Sequence, residues 1–125
     1  MKVTVGVDII SLSRIKRAIE RSGRLFLRKV YTDKELELGN DIGSLATRFA
    51  GKEAVFKALR MHWRGNASLK DIEILKGEFG EPIVVLHGML KEAASSRGIQ
   101  DIVLTLSYNG DYAIACAIAL YNKKF

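Results

Sequence analysis

The chain has 125 residues, 48% of them apolar, with one Pro, one Cys and a net charge of +6. That size fits one domain over residues 1–125 with a real core; no apolar run is long enough to span a membrane, and no signal peptide opens the chain, which favours a cytoplasmic protein. The lone Cys116 excludes a disulfide framework and a cysteine-built zinc site, His62 and His87 are too scattered for a histidine metal site, and the positive charge calls for an acidic partner.

Lys2 to Ile10 alternates Val3, Val5 and Val7 with Thr4 and Gly6, a strand pattern that Asp8 interrupts. An acid at the end of a buried strand either starts a turn or serves a site. Ser11 suits the N-cap of a helix running to about Ser22, with Leu12, Ile15 and Ile19 as its apolar stripe. Arg14, Arg17, Arg21, Arg24 and Arg28 would share one face if that helix continued. Gly23 is expected to break it, leaving Arg24 and Arg28 on a second short helix with Phe26, Leu27 and Val30. Between Arg14 and Lys29 only Glu20 is acidic, so the strip is either a solvated face or a docking surface. Thr32 and Glu35 form a capping-box pattern for another short helix, and Gly39 to Gly43 reads as a loop.

The stretch RFAGKEAVFKAL, Arg48 to Leu59, is rich in helix formers and predicts a helix beginning near Ser44. Phe49, Phe56 and Leu59 form its apolar stripe and place Glu53 among apolar side chains, flanked by Arg48, Lys52 and Lys57. One acid with several bases on a helix can hold a metal ion and the phosphates it bridges. Glu53 and Lys57 are equally an i, i+4 pair of the kind that decorates solvated helices.

Arg60 to Ser68 reads as a basic loop, with Trp63 as a core anchor or a ligand platform. Asp71 to Lys76 and Ile83 to Leu86 then predict a hairpin across a Gly-rich turn, and Gly88 to Arg97 a helix ending at Gly98. Ile102 to Ser107 and Tyr112 to Leu120 are strands joined through Asn109–Gly110, a hairpin signal. The second of them is apolar on both faces from Ala113, so it is either central or buried against another subunit. The fold class is α+β: an antiparallel sheet that takes up the N-terminal strand, packed against a long central helix and short N-terminal helices.

Three blocks stand in order: VGVDII, RFAGKEAVFKAL, and DIEI followed by G-x-P and LTLSYNGDYAIA. Together they resemble the bacterial holo-acyl-carrier-protein synthases, the short type of 4'-phosphopantetheinyl transferase. The resemblance covers nearly the whole chain. It implies transfer of the 4'-phosphopantetheine arm of coenzyme A to a serine of apo acyl-carrier protein, with release of adenosine 3',5'-bisphosphate. It further implies Asp8 and Glu53 as Mg²⁺ ligands and Lys57 as the group facing the departing phosphate. A carboxylate, Glu53 rather than Asp8, would take the serine proton. Arg48 and Lys52 would hold the nucleotide end, with Tyr108 in the place of a family histidine near the coenzyme A phosphates. Arg14, Arg21 and Arg24 would dock the acidic carrier protein. The family forms trimers with active sites between subunits, which would put Cys116 near the threefold axis. The chain departs from the family at Tyr108, in a loop over 39–47 without Lys or Arg, and after the central helix, where Arg60 and Arg64 are the bases available.

Two other readings remain. A basic nucleic-acid-binding module would use the arginine strip, although the aromatics do not interleave with it. A relative that binds carrier protein without catalysis would need neither Asp8 nor Glu53 nor Lys57.

Overall fold

The structure is a computed structural model that describes residues 2–61 and 67–122; His62, Trp63, Arg64 and the end of the basic tail lie outside the described residues. Strand β1 (Lys2–Ser11) pairs antiparallel with β5 (Tyr112–Tyr121), and β5 pairs antiparallel with β4 (Ile99–Asn109). The order is β1-β5-β4, so the doubly apolar strand is the central one. Helix α4 (Ile42–Leu59) lies across one face of this sheet. Ala113, Ala115, Ala117 and Ala119 line that face of β5 and are buried. Their small side chains let the helix approach closely, and larger residues there would overpack the layer.

The other face of the sheet is apolar and open. Val3, Val5, Val7 and Ile9 of β1, Ile114 of β5 and Val103 of β4 are all exposed. Cys116 lies among them, opposite Val7 on one side and Thr105 on the other.

Helices α1 (Leu12–Ser22) and α2 (Arg24–Val30) are separated at Gly23, whose φ of 50° is the conformation that favours glycine. Ser11 caps α1 by accepting from the Arg14 amide, and Ile15 is its buried anchor. The short α3 (Asp33–Leu38) begins with the expected capping box, Thr32 with Glu35. A turn of 3-10 helix (Leu69–Asp71) leads into a second, two-stranded antiparallel sheet of β2 (Ile72–Lys76) and β3 (Pro82–Leu86). Helix α5 (Gly88–Ser96) connects that hairpin to β4. No helix among the described residues is long and apolar enough to cross a membrane.

The α+β expectation holds, with three differences of detail. The second hairpin forms its own sheet instead of joining the first. The predicted loop over Gly39 to Gly43 is shorter, because Asp41 caps α4 by accepting from the Ser44 amide and the helix begins at Ile42. Helix α4 has no single apolar stripe: it is covered on nearly all sides, by the sheet, by α1 and by β2. An enclosed helix cannot choose which of its charges face water, and this bears directly on the site.

Candidate functional site

Strand β1 sits unusually close to α4. A Cβ added at Gly6 would lie 2.0 Å from the carbonyl oxygen of Ala54 and 2.7 Å from the Ala58 nitrogen. Only glycine permits that approach. Thr4, on the same face of the strand, donates its hydroxyl to the Ala58 carbonyl at 2.6 Å. Asp8 is two residues beyond Gly6 and so points the same way, toward the C-terminal half of α4.

There it meets the α4 side chains. The Lys57 ammonium donates to Asp8 Oδ1 and to the Val7 carbonyl, each at 3.1 Å. The i, i+4 partnership expected of Glu53 with Lys57 is therefore not the ion pair that forms, since Lys57 reaches across to the strand. Glu53 lies one turn earlier and is half-buried. Burial, reinforced by the charge of Asp8, pushes its carboxyl above the usual range, while Lys57 and Arg14 pull it back in part. Among the described residues its carboxylate has no hydrogen bond or ion-pair partner. Arg14, carried on the first turn of α1, is thus close enough to act on Glu53 electrostatically.

Asp8 meets Glu53 and Lys57 here from 45 and 49 positions away in sequence. The donor set suits a hard divalent cation. Mg²⁺ commonly takes one or two protein carboxylates and fills its octahedron with water and substrate phosphates. The upward pressure on Glu53 comes first from burial and then from the charge of Asp8, and a cation at this point would favour the ionised form against both. No cluster of three or more metal-ligating side chains occurs among the described residues, so no all-protein cage is built.

Of the two remaining bases of α4, Lys52 is the one that requires correction. Lys52 is fully buried, and its three donors go to Glu35 Oε1 at 2.8 Å, the Leu69 carbonyl at 3.0 Å and the Ile72 carbonyl at 2.6 Å. An ammonium has three N–H groups, so none is left for a nucleotide. Arg48 is also buried; its guanidinium donates to the carbonyls of Ser44, Glu35 and Gly39, tying α3 to α4. Both cations lie against the Tyr31 ring. Arg48 forms one wall of a cavity of about 210 Å³ that Leu38, Thr47, Pro82 and Thr105 also line, and three of its five N–H groups go to backbone carbonyls.

Tyr108 keeps an open position. It is 55% exposed, and its ring lies against Gly43 in the first turn of α4, where an added Cβ would come within 2.8 Å of it. Arg14, Arg21 and Arg24 are all exposed, with Leu25 75% exposed beside them. Arg60 closes α4 in the left-handed region with φ 56°.

Sequence reasoning missed the partner of Lys52. Glu35 accepts from the Thr32 amide within its capping box, from Lys52, and with its other oxygen from the Ile74 amide. The capping pattern located Glu35 but could not reveal that the same carboxylate is buried under β2.

A model of the 4'-phosphopantetheinyl transferase superfamily matches residues 4–117. The holo-acyl-carrier-protein synthase of Ruminiclostridium cellulolyticum is 42% identical over 130 aligned positions, covering 100% of this chain and 97% of that protein. The crystal structure of the holo-acyl-carrier-protein synthase from Neisseria meningitidis superposes with a TM-score of 0.85 at 32% identity, over 94% of this chain and 97% of the other. The Helicobacter pylori synthase in complex with coenzyme A superposes with a TM-score of 0.84 at 31% identity, over 93% of this chain and 99% of the other.

Proposed function

The chain belongs to the 4'-phosphopantetheinyl transferase superfamily, and from that premise we propose that it is a holo-acyl-carrier-protein synthase whose reaction centre is formed by Asp8, Glu53 and Lys57. It transfers the 4'-phosphopantetheine arm of coenzyme A to a serine of apo acyl-carrier protein. The observation that carries the assignment of the centre is the meeting of the β1 acid with the acid and lysine of α4, at a strand–helix approach that Gly6 alone permits.

The serine oxygen attacks the pantetheine-bearing phosphorus of coenzyme A. The new P–O bond forms as the bond to the adenosine-side phosphate breaks, and adenosine 3',5'-bisphosphate leaves. Glu53, half-buried beside Asp8, accepts the serine proton. Lys57 is held toward the same point by the Val7 carbonyl and Asp8, and its remaining N–H stabilises charge on the departing phosphate. Asp8 and Glu53 would hold Mg²⁺, which when bound supplies neutralisation of charge on the pyrophosphate.

Coenzyme A is the co-substrate. Tyr108, an exposed ring at the opposite end of α4, is the candidate contact for its nucleotide portion. The acidic carrier protein docks on the strip of Arg14, Arg21 and Arg24, where opposite charge steers association and makes it salt-sensitive.

The working unit is a trimer with the sites between subunits. The open apolar face of Val3, Val5, Val7, Ile9, Val103 and Ile114 supports association, since a patch of that kind is unusual on a monomer. The cavity beside Arg48 lies toward the opposite end of α4 from Glu53, so a neighbouring copy can bring the two halves of a site together.

The test is incubation with coenzyme A, Mg²⁺ and an apo carrier protein, read by mass spectrometry as addition of the arm. Transfer that requires Mg²⁺ and is abolished by Glu53→Gln in a folded protein is the expected result. Undiminished transfer by Glu53→Gln, or full activity under chelation, would remove the assigned centre.

A further inference from the structure

We infer that Asp111, in the turn between β4 and β5, is a positioning residue for carrier-protein docking, acting by holding the first turn of α1. The inference rests on the reading of α1 as the docking helix. The first backbone N–H groups of any helix lack partners within it. In α1, the Leu12 amide donates to the Asp111 carbonyl at 2.7 Å, and the Ser13 amide donates to Asp111 Oδ1 at 3.0 Å. The Ser13 hydroxyl donates to Asp111 Oδ2 at 3.1 Å. The Arg14 amide is taken by Ser11 Oγ at 3.1 Å, so three consecutive amides are satisfied. One residue, 98 positions from Ser13, supplies two of these acceptors and a hydroxyl contact besides. The carboxylate also lies at the positive end of the helix dipole, where a negative charge is favourable.

Arg14 is on the turn that Asp111 fixes, and Arg21 follows on the same helix. The helix is short and ends at Gly23, and Ile15 is its one buried residue. Besides the packing of Leu12, Ile15 and Ile19 on the core, its orientation rests on this N-terminal anchor. If that turn frays, the docking arginines keep their charge but lose their fixed spacing, and apparent affinity falls with the fraction of molecules in the competent arrangement.

Charge alone predicts the opposite. Asp111 is an acid beside a surface that binds an acidic partner, so removing it should tighten binding if long-range attraction were all that mattered. The sign of the effect separates the two accounts.

The experiment compares Asp111→Ala and Asp111→Asn in steady-state transfer assays, varying carrier protein and coenzyme A independently, with Arg21→Glu in parallel. Loss of a helix cap of this kind should raise the carrier KM of Asp111→Ala by about tenfold, with the coenzyme A KM unmoved. Asp111→Asn keeps an oxygen for the Ser13 amide without the charge and should stay within about threefold of the parent. Amide hydrogen exchange at Ser13, whose acceptor is the lost carboxylate, should quicken in Asp111→Ala alone. An unchanged or lower carrier KM in Asp111→Ala, or an equal rise for both substrates, would overturn the inference. If Arg21→Glu raises the carrier KM while Asp111→Ala does not, only the positioning role fails. If Arg21→Glu leaves it unchanged, the docking reading itself fails.

Discussion

Replacing Gly6 by Ala tests whether the strand–helix approach sets the reaction centre. The added carbon would sit 2.0 Å from the Ala54 oxygen, 2.7 Å from the Ala58 nitrogen and 3.0 Å from Lys57 Cβ. The first two are backbone atoms inside α4, which no change of rotamer can move. A carbon approaches a carbonyl oxygen to about 3.3 Å at closest comfort, so β1 must lift from α4 by about 1 Å or more. Overpacking of this kind costs about 1–3 kcal/mol of stability, which a shifted urea midpoint would report. The kinetic effect should be larger. Asp8 moves with the strand while Glu53 and Lys57 stay on the helix, and a displacement near 1 Å in a reacting group can lower kcat by about a hundredfold. Transfer should be assayed at saturating carrier protein and coenzyme A, at a temperature where the variant is folded. A folded Gly6→Ala protein with kcat within about threefold of the parent would refute the reasoning, because the centre would then tolerate the displacement that the contacts demand.

Three further outcomes follow from the same contacts. Lys52→Ala leaves the Glu35 carboxylate buried without its cation and should cost about 3–5 kcal/mol in denaturant unfolding; a loss below about 1 kcal/mol would mean that the pair is not the anchor it looks. At Glu73 burial pushes the carboxyl up, but hydrogen bonds from Thr32 and His87 outweigh it and hold it below its usual 4.5. Such a depressed group stabilises the fold above about pH 4.5 and loses that contribution as pH falls through its lower native value, so Glu73→Gln should be the less stable protein at pH 7 with the gap closing toward pH 3. A melting-temperature gap that is equal at both ends of that range would show that the carboxylate charge is not what those bonds rely on. Val5→Asp puts a charge on the open face of the sheet and should convert a trimer to a monomer in sedimentation, whereas an unchanged mass would move the interface elsewhere.

Much of the fold is written locally. Ser11, the Thr32–Glu35 box and Gly23 work through neighbours a few positions away, and each sits where the pattern put it. Alternating valines fixed β1, and the apolar run of β5 fixed a strand that could only be central or covered. The approach of Asp8 to Glu53 was legible only through the family's motifs, since nothing in either segment specifies the other. Where those motifs were carried onto α4 base by base, Lys57 kept an open position and Lys52 did not. Both are lysines on one helix, and what separates them is that β2 and α3 close over Lys52 while Lys57 lies against β1 at Val7 and Asp8 and stays half-exposed.

By itself the sequence determined the elements, their caps, the charge of the arginine strip and the family, because these depend on spacing within a few residues or on whole blocks. The tertiary structure alone decided which charges are buried in the frame and which are left for chemistry. Glu35 is 17 residues from Lys52 and Asp111 is 98 from Ser13. Such pairings are settled by how closely helices and strands can pack, and the absence of a side chain at Gly6 is what brings β1 within reach of α4.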